Sequence, residues 1–350
     1  MLRQAIQGIQ KSKSAIPLII LVACLANSTT TIIQAWLPES YPDYSELIIP
    51  SVQKCNPLHY PITESVTLGP NDTVIDLHQT HPSRDPLKWW LNCFSYKTFG
   101  TPNLIPIFFN LGLMPLVYLL TVKITNNKLI GLFSFIAFVS NPLYNNWMTS
   151  GTYDQVWSFF LVLSIYLMYK FKTIGTISAI VSFIASLTAK ALGLMYLPSI
   201  LYSYWKTENS PKMKLLLLLS TLVICVSLAE LFINKTSFIF GGTLGFHPEN
   251  LSIAASRDFE MLLPELPFLG TFALIAFYFK PKESLQAKKT SAVWILNALL
   301  TTPIIFLFTN QFQFVYRFVP LAVFMSIFIG ITIVEAGQFI IEAKLRRKSN

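Results

Sequence analysis

The sequence has little charge, since only 12% of its 350 residues are Asp, Glu, Lys or Arg, whereas soluble globular chains carry about 25%. That little charge cannot cover the surface of an ordinary cytosolic enzyme, and it also excludes a disordered chain and a coiled coil. Hydrophobic residues make up 53% of the chain, and the mean hydropathy is +0.53. Because lipid offers backbone polar groups no water, these values predict an all-α polytopic membrane protein.

Several short motifs of soluble enzymes are also missing from the sequence. No Gly-x-x-x-x-Gly-Lys segment is present to cradle a phosphate, and no His-Glu-x-x-His pair is present to bind zinc. No basic run is interleaved with aromatic residues, as a nucleic-acid groove would require. The net charge of +9 is therefore attributed to cytoplasmic loops, and no nucleic-acid partner is expected.

About ten stretches are apolar enough to be membrane spans, and together they predict a single membrane domain over residues 1–350. The first stretch is too long for a signal peptide, and no small-residue cleavage site follows it. The sixth is short, but merging it with the fifth would reverse the loops downstream and put most of their basic residues outside. The spans are about 15–36, 103–122, 129–146, 153–171, 173–190, 191–205, 213–233, 262–279, 291–309 and 316–337.

The charges predict the orientation of these spans. With residues 1–14 and 338–350 in the cytoplasm, 18 of the 26 basic residues lie inside, as the positive-inside rule expects. Twelve of the 17 carboxylates and all four histidines then lie outside, mostly in the large loops 37–102 and 234–261. The Trp89–Trp90 pair predicts a helix lying at the membrane interface. We therefore expect an integral protein of the plasma membrane or an endomembrane, with its chemistry on the extracytoplasmic face.

Two outer acids are the candidate catalytic residues. Asp43 follows the first span, where partial burial would raise the pKa of a carboxyl group toward that of a general base. Asp154 begins the fourth span, where an acid can simply cap a helix or can face Asp43 across a bound acceptor or cation. Two such oxygen-rich loops suit a hard divalent cation, Mg²⁺ or Mn²⁺, although a solvated loop acid is the simpler interpretation for each.

Two cations lie at the outer edges of spans. Lys190 stands between two apolar stretches, where a cation is costly and so indicates a function, unless its long side chain only reaches the headgroups. Arg317 precedes the last apolar run and could hold a phosphate in a forked geometry. A lipid phosphate is a natural partner for both.

The first outer loop also contains two cysteines, Cys55 and Cys93. A disulfide between them is possible outside a reducing cytosol. Spacing in the sequence does not decide it, because pairing depends on the distance between the two Cα atoms.

The order of these features resembles the membrane glycosyltransferases of the GT-C fold, especially their protein mannosyltransferase-like and aminoarabinose-transferase-like branch. A first span is followed by a long outer loop that opens with an acid. The similar motifs that follow are Phe99-Gly100-Thr101-Pro102, Ser140-Asn141-Pro142-Leu143-Tyr144, Tyr153-Asp154, Leu187-Thr188-Ala189-Lys190 and Leu194-Met195-Tyr196-Leu197-Pro198. The resemblance covers about 200 of the 350 residues.

This resemblance implies transfer of a sugar from a polyprenyl-phosphate donor to a protein or lipid acceptor on the outer face. It implies that Asp43 is the general base and that Asp154 assists with the acceptor or a metal ion. Lys190 and Arg317 would stabilise the departing phosphate, and Glu46 and Tyr153 would join the substrate-binding residues. Two alternatives are a transporter or lipid flippase, which would carry ionisable groups near the bilayer midplane, and a non-catalytic membrane subunit.

Overall fold

The structure is a computed structural model, and it describes residues 15–34, 36–37, 48–57, 65–68, 73–76, 86–145, 155–170, 173–207, 248, 256, 285–309 and 319–349. Within these ranges the regular elements are helices and one antiparallel hairpin, in which Ser65 pairs with Asp76 and Leu68 with Thr73. The first half contains α1 (Ala15–Gln34), α2 (Ile49–Lys54), β1 (Ser65–Leu68), β2 (Thr73–Asp76), α3 (Pro86–Phe99), α4 (Leu104–Thr125), α5 (Lys128–Val139) and α6 (Pro142–Asn145). The second half contains α7 (Gln155–Lys170), α8 (Thr173–Ala189), a 3₁₀ helix (Ala191–Tyr196), α9 (Leu197–Thr207), α10 (Leu285–Thr309) and α11 (Val319–Ser349).

Three of the described helices are long and apolar enough to cross a membrane: α1, α4 and α11. Shorter apolar helices, α5, α7 and α8, pack among them. One side of α1 exposes large aliphatic residues such as Leu18, Val22 and Leu25, which is the expected surface of a helix facing lipid. The predicted spans 213–233 and 262–279 lie outside the described residues.

Successive core helices run in opposite directions, so the bundle has two distinct ends. Helices α4 and α5 are joined by Asn126, in the left-handed backbone region at φ 52°, and Asn127, whose side chain accepts hydrogen bonds from the first amides of α5. At the other end, the Tyr144 hydroxyl donates to the carbonyl of Asn110 at 3.1 Å. We call this second end the α3 end, because α3 leads directly into α4 there. Helices α4 and α7 begin at the α3 end, and α5 and α8 end there.

Serine side chains hold α7 and α8 together. In an apolar bundle the hydrophobic effect contributes little to helix association, and interhelical hydrogen bonds and close packing contribute more. Three hydroxyls donate across this contact in one antiparallel register: Ser186 to Trp157 O at 2.9 Å, Ser182 to Phe160 O at 2.8 Å and Ser164 to Ala179 O at 2.8 Å.

The closest approach between helices involves α5 and α11. A Cβ atom added to Gly330 would lie 2.6 Å from the amide nitrogen of Ser134 and 2.9 Å from the carbonyl oxygen of Ile130. The two helices therefore touch backbone to backbone at Gly330, as small residues allow in membrane bundles.

Two helix boundaries differ from the sequence prediction. Helix α5 ends at Val139 rather than near 146, because Pro142 starts a new short helix whose first amides are capped by Asn141, with Leu143 N donating to Oδ1 at 2.8 Å. Helix α11 continues to Ser349 rather than ending near 337. Its last turns are rich in Glu, Ala, Lys, Leu and Arg, which favour helix whether or not lipid surrounds them.

Candidate functional site

Of the six residues predicted for the catalytic and substrate-binding site, the structure describes Lys190. The others lie outside the described residues: Asp43, Glu46, Tyr153, Asp154 and Arg317. Within the described ranges, no group of three His, Cys, Asp or Glu side chains is close enough to hold a metal ion. Lys190 and the elements around it form the part of the candidate site that the structure describes.

Lys190 occupies the break between α8 and the 3₁₀ helix. Its backbone is extended, at φ −163° and ψ 126°, while its amide still donates to Ser186 O at 2.9 Å. Its side chain is buried, with 8% of its surface exposed. A buried ammonium in an apolar bundle is costly, which makes Lys190 a candidate for a functional position. The break predicted between 190 and 191 is present, and it places this cation at the α3 end.

Gly193 allows the 3₁₀ helix to fold back on the last turn of α8. Its amide donates to Lys190 O at 3.0 Å. A Cβ atom at this position would lie 2.9 Å from the hydroxyl of Ser186 and 3.4 Å from a methyl group of Leu187. A larger residue would displace the Ser186 hydroxyl, which donates to Trp157 O, so glycine keeps this turn close to α8 immediately after Lys190.

A side chain from a distant helix stabilises the junction between the 3₁₀ helix and α9. In a continuous α-helix the amide of Ser199 would donate to the carbonyl of Met195, four residues earlier. Here the Asn297 side chain of α10 takes both places: its Oδ1 accepts from Ser199 N at 3.0 Å, and its Nδ2 donates to Met195 O at 3.0 Å. The hydroxyl of Ser199 also donates to this Oδ1, at 2.6 Å. The carboxamide thus replaces one helical hydrogen bond, which is a recognised way of breaking a helix.

Aromatic rings fix the 3₁₀ helix from its other sides. The ring of Tyr196 lies 5.5 Å from that of Trp157 on α7 and 6.4 Å from that of Phe324 on α11. All three side chains are fully buried. Lys190 therefore follows a rigid helix and precedes a segment packed on three sides, so that its position is well determined.

Helix α3 has three different faces, which follow from its helical periodicity. Lys88, Asn92 and Ser95 recur at intervals of four and three residues and form one buried polar stripe. The hydroxyl of Ser95 donates to Thr101 O at 2.7 Å and accepts from Ile105 N at 3.2 Å. Since α3 also packs against α8, the stripe faces the core at the end where Lys190 lies.

The second face of α3 packs on α2 around a disulfide. Cys55 and Cys93, the two cysteines of the first loop, are bonded to each other with their Cα atoms 6.0 Å apart. Ile48, Val52 and Trp89 complete this small buried cluster, which is separate from the main core. The disulfide and its cluster therefore anchor α2 to α3 independently of the bundle.

The third face of α3 is exposed and apolar. The rings of Trp90 and Phe94 stack at 5.4 Å with an interplanar angle of 9°, and both are more than a third exposed. The Trp90 indole also donates to Pro57 O at 3.0 Å. Of the Trp89–Trp90 pair, Trp89 is buried in the disulfide cluster and Trp90 is on this exposed face. The position of α3 at the membrane interface stays a prediction.

The opposite end of the bundle contains a buried ion pair. Lys288, near the start of α10, pairs with Glu335 in the second half of α11, and both side chains are buried. The ion pair links α10 and α11 inside the bundle, and it lies away from Lys190.

The α3 end is thus a polar region within an apolar bundle. A fixed buried cation, Lys190, lies at the same end as the polar stripe of α3 and the asparagines Asn103 and Asn110 of α4. Such an arrangement can bind a ligand that combines a negative charge with hydroxyl groups. Nothing in the sequence marks Asn92, Asn103 and Asn297 for this site, because a lone asparagine carries no periodic or spacing signal that distinguishes a carboxamide packed in a bundle from a solvated one.

Comparison with known proteins identifies the fold. No protein-family model matches the sequence, and no curated protein matches it. Among solved structures, ArnT from Cupriavidus metallidurans bound to undecaprenyl phosphate is similar with a TM-score of 0.55 at 12% identity, over 95% of this chain and 64% of that one. The apo state of the same protein is similar with a TM-score of 0.54 at 13% identity, over 89% of this chain and 59% of that one.

The chain therefore spans less than two thirds of the ArnT chains that it matches. At this level of identity the likeness concerns the fold. It confirms the prediction of an all-α polytopic membrane protein, and it shows that the helices of this chain adopt a GT-C-like fold.

Proposed function

We propose that this protein is a membrane glycosyltransferase that moves a sugar from a polyprenyl-phosphate donor to an acceptor on the outer face of the membrane. The observation that carries the proposal is the shared fold with ArnT, one of whose structures is bound to undecaprenyl phosphate. The buried Lys190 supports it, because an anionic lipid phosphate is a suitable partner for a cation in an apolar bundle.

The reaction assigned to the site is a displacement at the anomeric carbon of the donor sugar. Asp43 accepts the proton of the acceptor hydroxyl, whose oxygen forms the new bond to the anomeric carbon. The bond from that carbon to the phosphate oxygen breaks, and its electron pair leaves with the polyprenyl phosphate. Lys190 and Arg317 stabilise the negative charge that grows on this phosphate, because preorganised cations act strongly where water is excluded.

The remaining predicted residues orient the substrates. Asp154 binds the acceptor or a divalent cation, Mg²⁺ or Mn²⁺, and Glu46 and Tyr153 contact the substrates beside Asp43 and Asp154. Carboxylate oxygens are suitable ligands for both cations. The two carboxylates that would hold the cation, Asp43 and Asp154, lie outside the described residues. The cation site is therefore proposed from the sequence.

The proposal is tested with purified protein and a radiolabelled undecaprenyl-phosphate sugar. We expect Asp43→Asn to reduce transfer by about 100-fold or more, the usual contribution of a general base, and Asp154→Asn to reduce it as well. Asp72→Asn changes an acid of the same loop to which no role is assigned, and should be close to wild type. Full activity in Asp43→Asn would contradict the assignment of the base.

The same assay separates the enzyme from the two alternatives. A flippase would move the labelled lipid across vesicle membranes without transferring its sugar. A non-catalytic subunit would do neither, and would still be assembled with its partner after Asp43→Asn. Addition of EDTA, followed by Mg²⁺ or Mn²⁺, tests the cation: activity unchanged by EDTA would contradict a metal-dependent site.

A further inference from the structure

Two asparagines at the α3 end are buried without hydrogen-bond partners for their side chains. Asn92 on α3 and Asn103 at the start of α4 are 1% and 0% exposed, and neither carboxamide bonds to any group in the described part of the chain. A carboxamide has two N–H donors and an oxygen that accepts two bonds. Buried polar groups in native proteins are nearly always paired, so two unpaired carboxamides at one end of the bundle need an explanation.

The joint between α3 and α4 does not explain them. That joint is already made by Ser95, which bonds both Thr101 O and Ile105 N. Asn103 is the residue at the N-cap of α4, a position that asparagine favours for bonding the free amides of a helix. Its side chain nevertheless makes no capping bond. Neither carboxamide is used to hold these helices together.

The surroundings of the two asparagines connect them with Lys190. Asn92 lies one helical turn from Ser95 on the stripe of α3 that faces the core, and Asn103 lies two residues from Ile105, which bonds Ser95. Helix α3 also packs against α8, the helix that ends beside Lys190. The same stripe contains Lys88, which is 7% exposed.

We propose that Asn92 and Asn103 form the subsite that binds the sugar ring of the polyprenyl-phosphate donor, an inference that rests on the proposed function. Hydroxyl groups of a sugar both donate and accept hydrogen bonds, and each of the two carboxamides can also do both. The phosphate of the same donor belongs near Lys190, at the same end of the bundle. The two carboxamides, which lack partners in the described part of the chain, find them in the substrate.

The test is a binding measurement that compares undecaprenyl phosphate with and without a sugar. Wild type, Asn92→Leu and Asn103→Ala are purified in detergent and titrated with undecaprenyl phosphate and with its mannosyl and 4-aminoarabinosyl derivatives. Loss of the carboxamide hydrogen bonds should weaken binding of at least one sugar-bearing lipid about tenfold, with binding of the bare lipid phosphate changed by less than about twofold.

Ser134→Ala is the matched control. Ser134 is another buried polar residue whose side chain lacks a partner, but it lies in the contact of α5 with α11. The control should leave the affinity for all three lipids unchanged. The melting temperature of each ligand-free variant shows whether it is folded. Removing an unpaired buried amide should leave that temperature equal or higher, whereas a structural amide would lower it.

The outcomes distinguish the two proposals. If wild type binds the lipids and both asparagine variants keep the wild-type affinity for every sugar-bearing lipid, the subsite is wrong and the proposed function stands. An equal loss of affinity for bare and sugar-bearing lipids would also overturn the subsite. If wild type binds none of the three lipids, the proposed function fails and the subsite fails with it. If Asn92→Leu does not fold, Asn92→Ala replaces it in the same comparison.

Discussion

Replacement of Asn297 by leucine should weaken the junction between the 3₁₀ helix and α9. The side chains are similar in size, so the change removes polarity with little change in volume. It leaves Ser199 N and Met195 O, two backbone groups inside the bundle, without the partner that each has at 3.0 Å. It also removes the bond at 2.6 Å from the hydroxyl of Ser199.

The size of the effect depends mainly on the backbone groups. A hydrogen bond between side chains in a membrane bundle contributes on average about 0.6 kcal/mol, whereas an orphaned buried donor or acceptor costs about 1–3 kcal/mol. We therefore expect Asn297→Leu to lower the free energy of unfolding by about 2–4 kcal/mol. Ser199→Ala, which removes only the hydroxyl, should cost less than about 1 kcal/mol.

The assay is unfolding in mixed micelles with increasing denaturing detergent, followed by tryptophan fluorescence. Thr301→Val is the control on the same helix, because the Thr301 hydroxyl donates to the Asn297 carbonyl one turn earlier, at 2.9 Å, and so bonds within its own helix. Its loss should change stability little. If Asn297→Leu unfolds within about 0.5 kcal/mol of wild type, a deviation no larger than ordinary surface substitutions, the helix can close its own gap and the bridge is not required.

Two further predictions concern the remaining helix contacts. Gly330→Ala should destabilise the bundle by more than about 2 kcal/mol in the same unfolding assay, because the new Cβ would lie 2.6 Å from Ser134 N on a neighbouring helix. Gly337→Ala on the same helix is the control: its new Cβ meets no atom within 4 Å, so the change should be neutral or slightly stabilising. Single substitutions Lys288→Met and Glu335→Gln should each cost about 3–5 kcal/mol by removing the ion-pair partner of a buried charge. The double substitution should recover most of that loss, whereas losses that simply add in the double variant would show that the pair does not interact.

The sequence was sufficient for predictions that depend on local composition. The length and apolarity of α1, α4 and α11 follow directly from runs of about 20 hydrophobic residues. The break after Ala189 was indicated by a lysine between two apolar stretches, and it is present. Boundaries were less predictable, since α11 continues for about three turns beyond its apolar run on residues that favour helix in water as well.

The pairings between helices depend on residues that are far apart in the chain. Asn297 reaches Met195 across 102 positions, and Lys288 reaches Glu335 on the next helix along the bundle. Nothing near Asn297 in the sequence marks it as a bridge, because the broken hydrogen bond that it replaces exists only after the helices have packed. The same holds for Asn92 and Asn103, whose burial results from the docking of α3 on α4 and α8.

The sequence by itself therefore determined that this is a helical membrane protein. Low charge and long apolar runs favour transfer of the chain into lipid, and this effect does not depend on which residues pack against one another. The tertiary structure decided which of the few polar residues are buried and what each one bonds. Burying a polar residue in an apolar bundle costs free energy unless the residue is paired. The candidate site is therefore located by the partners of these residues rather than by their positions in the sequence.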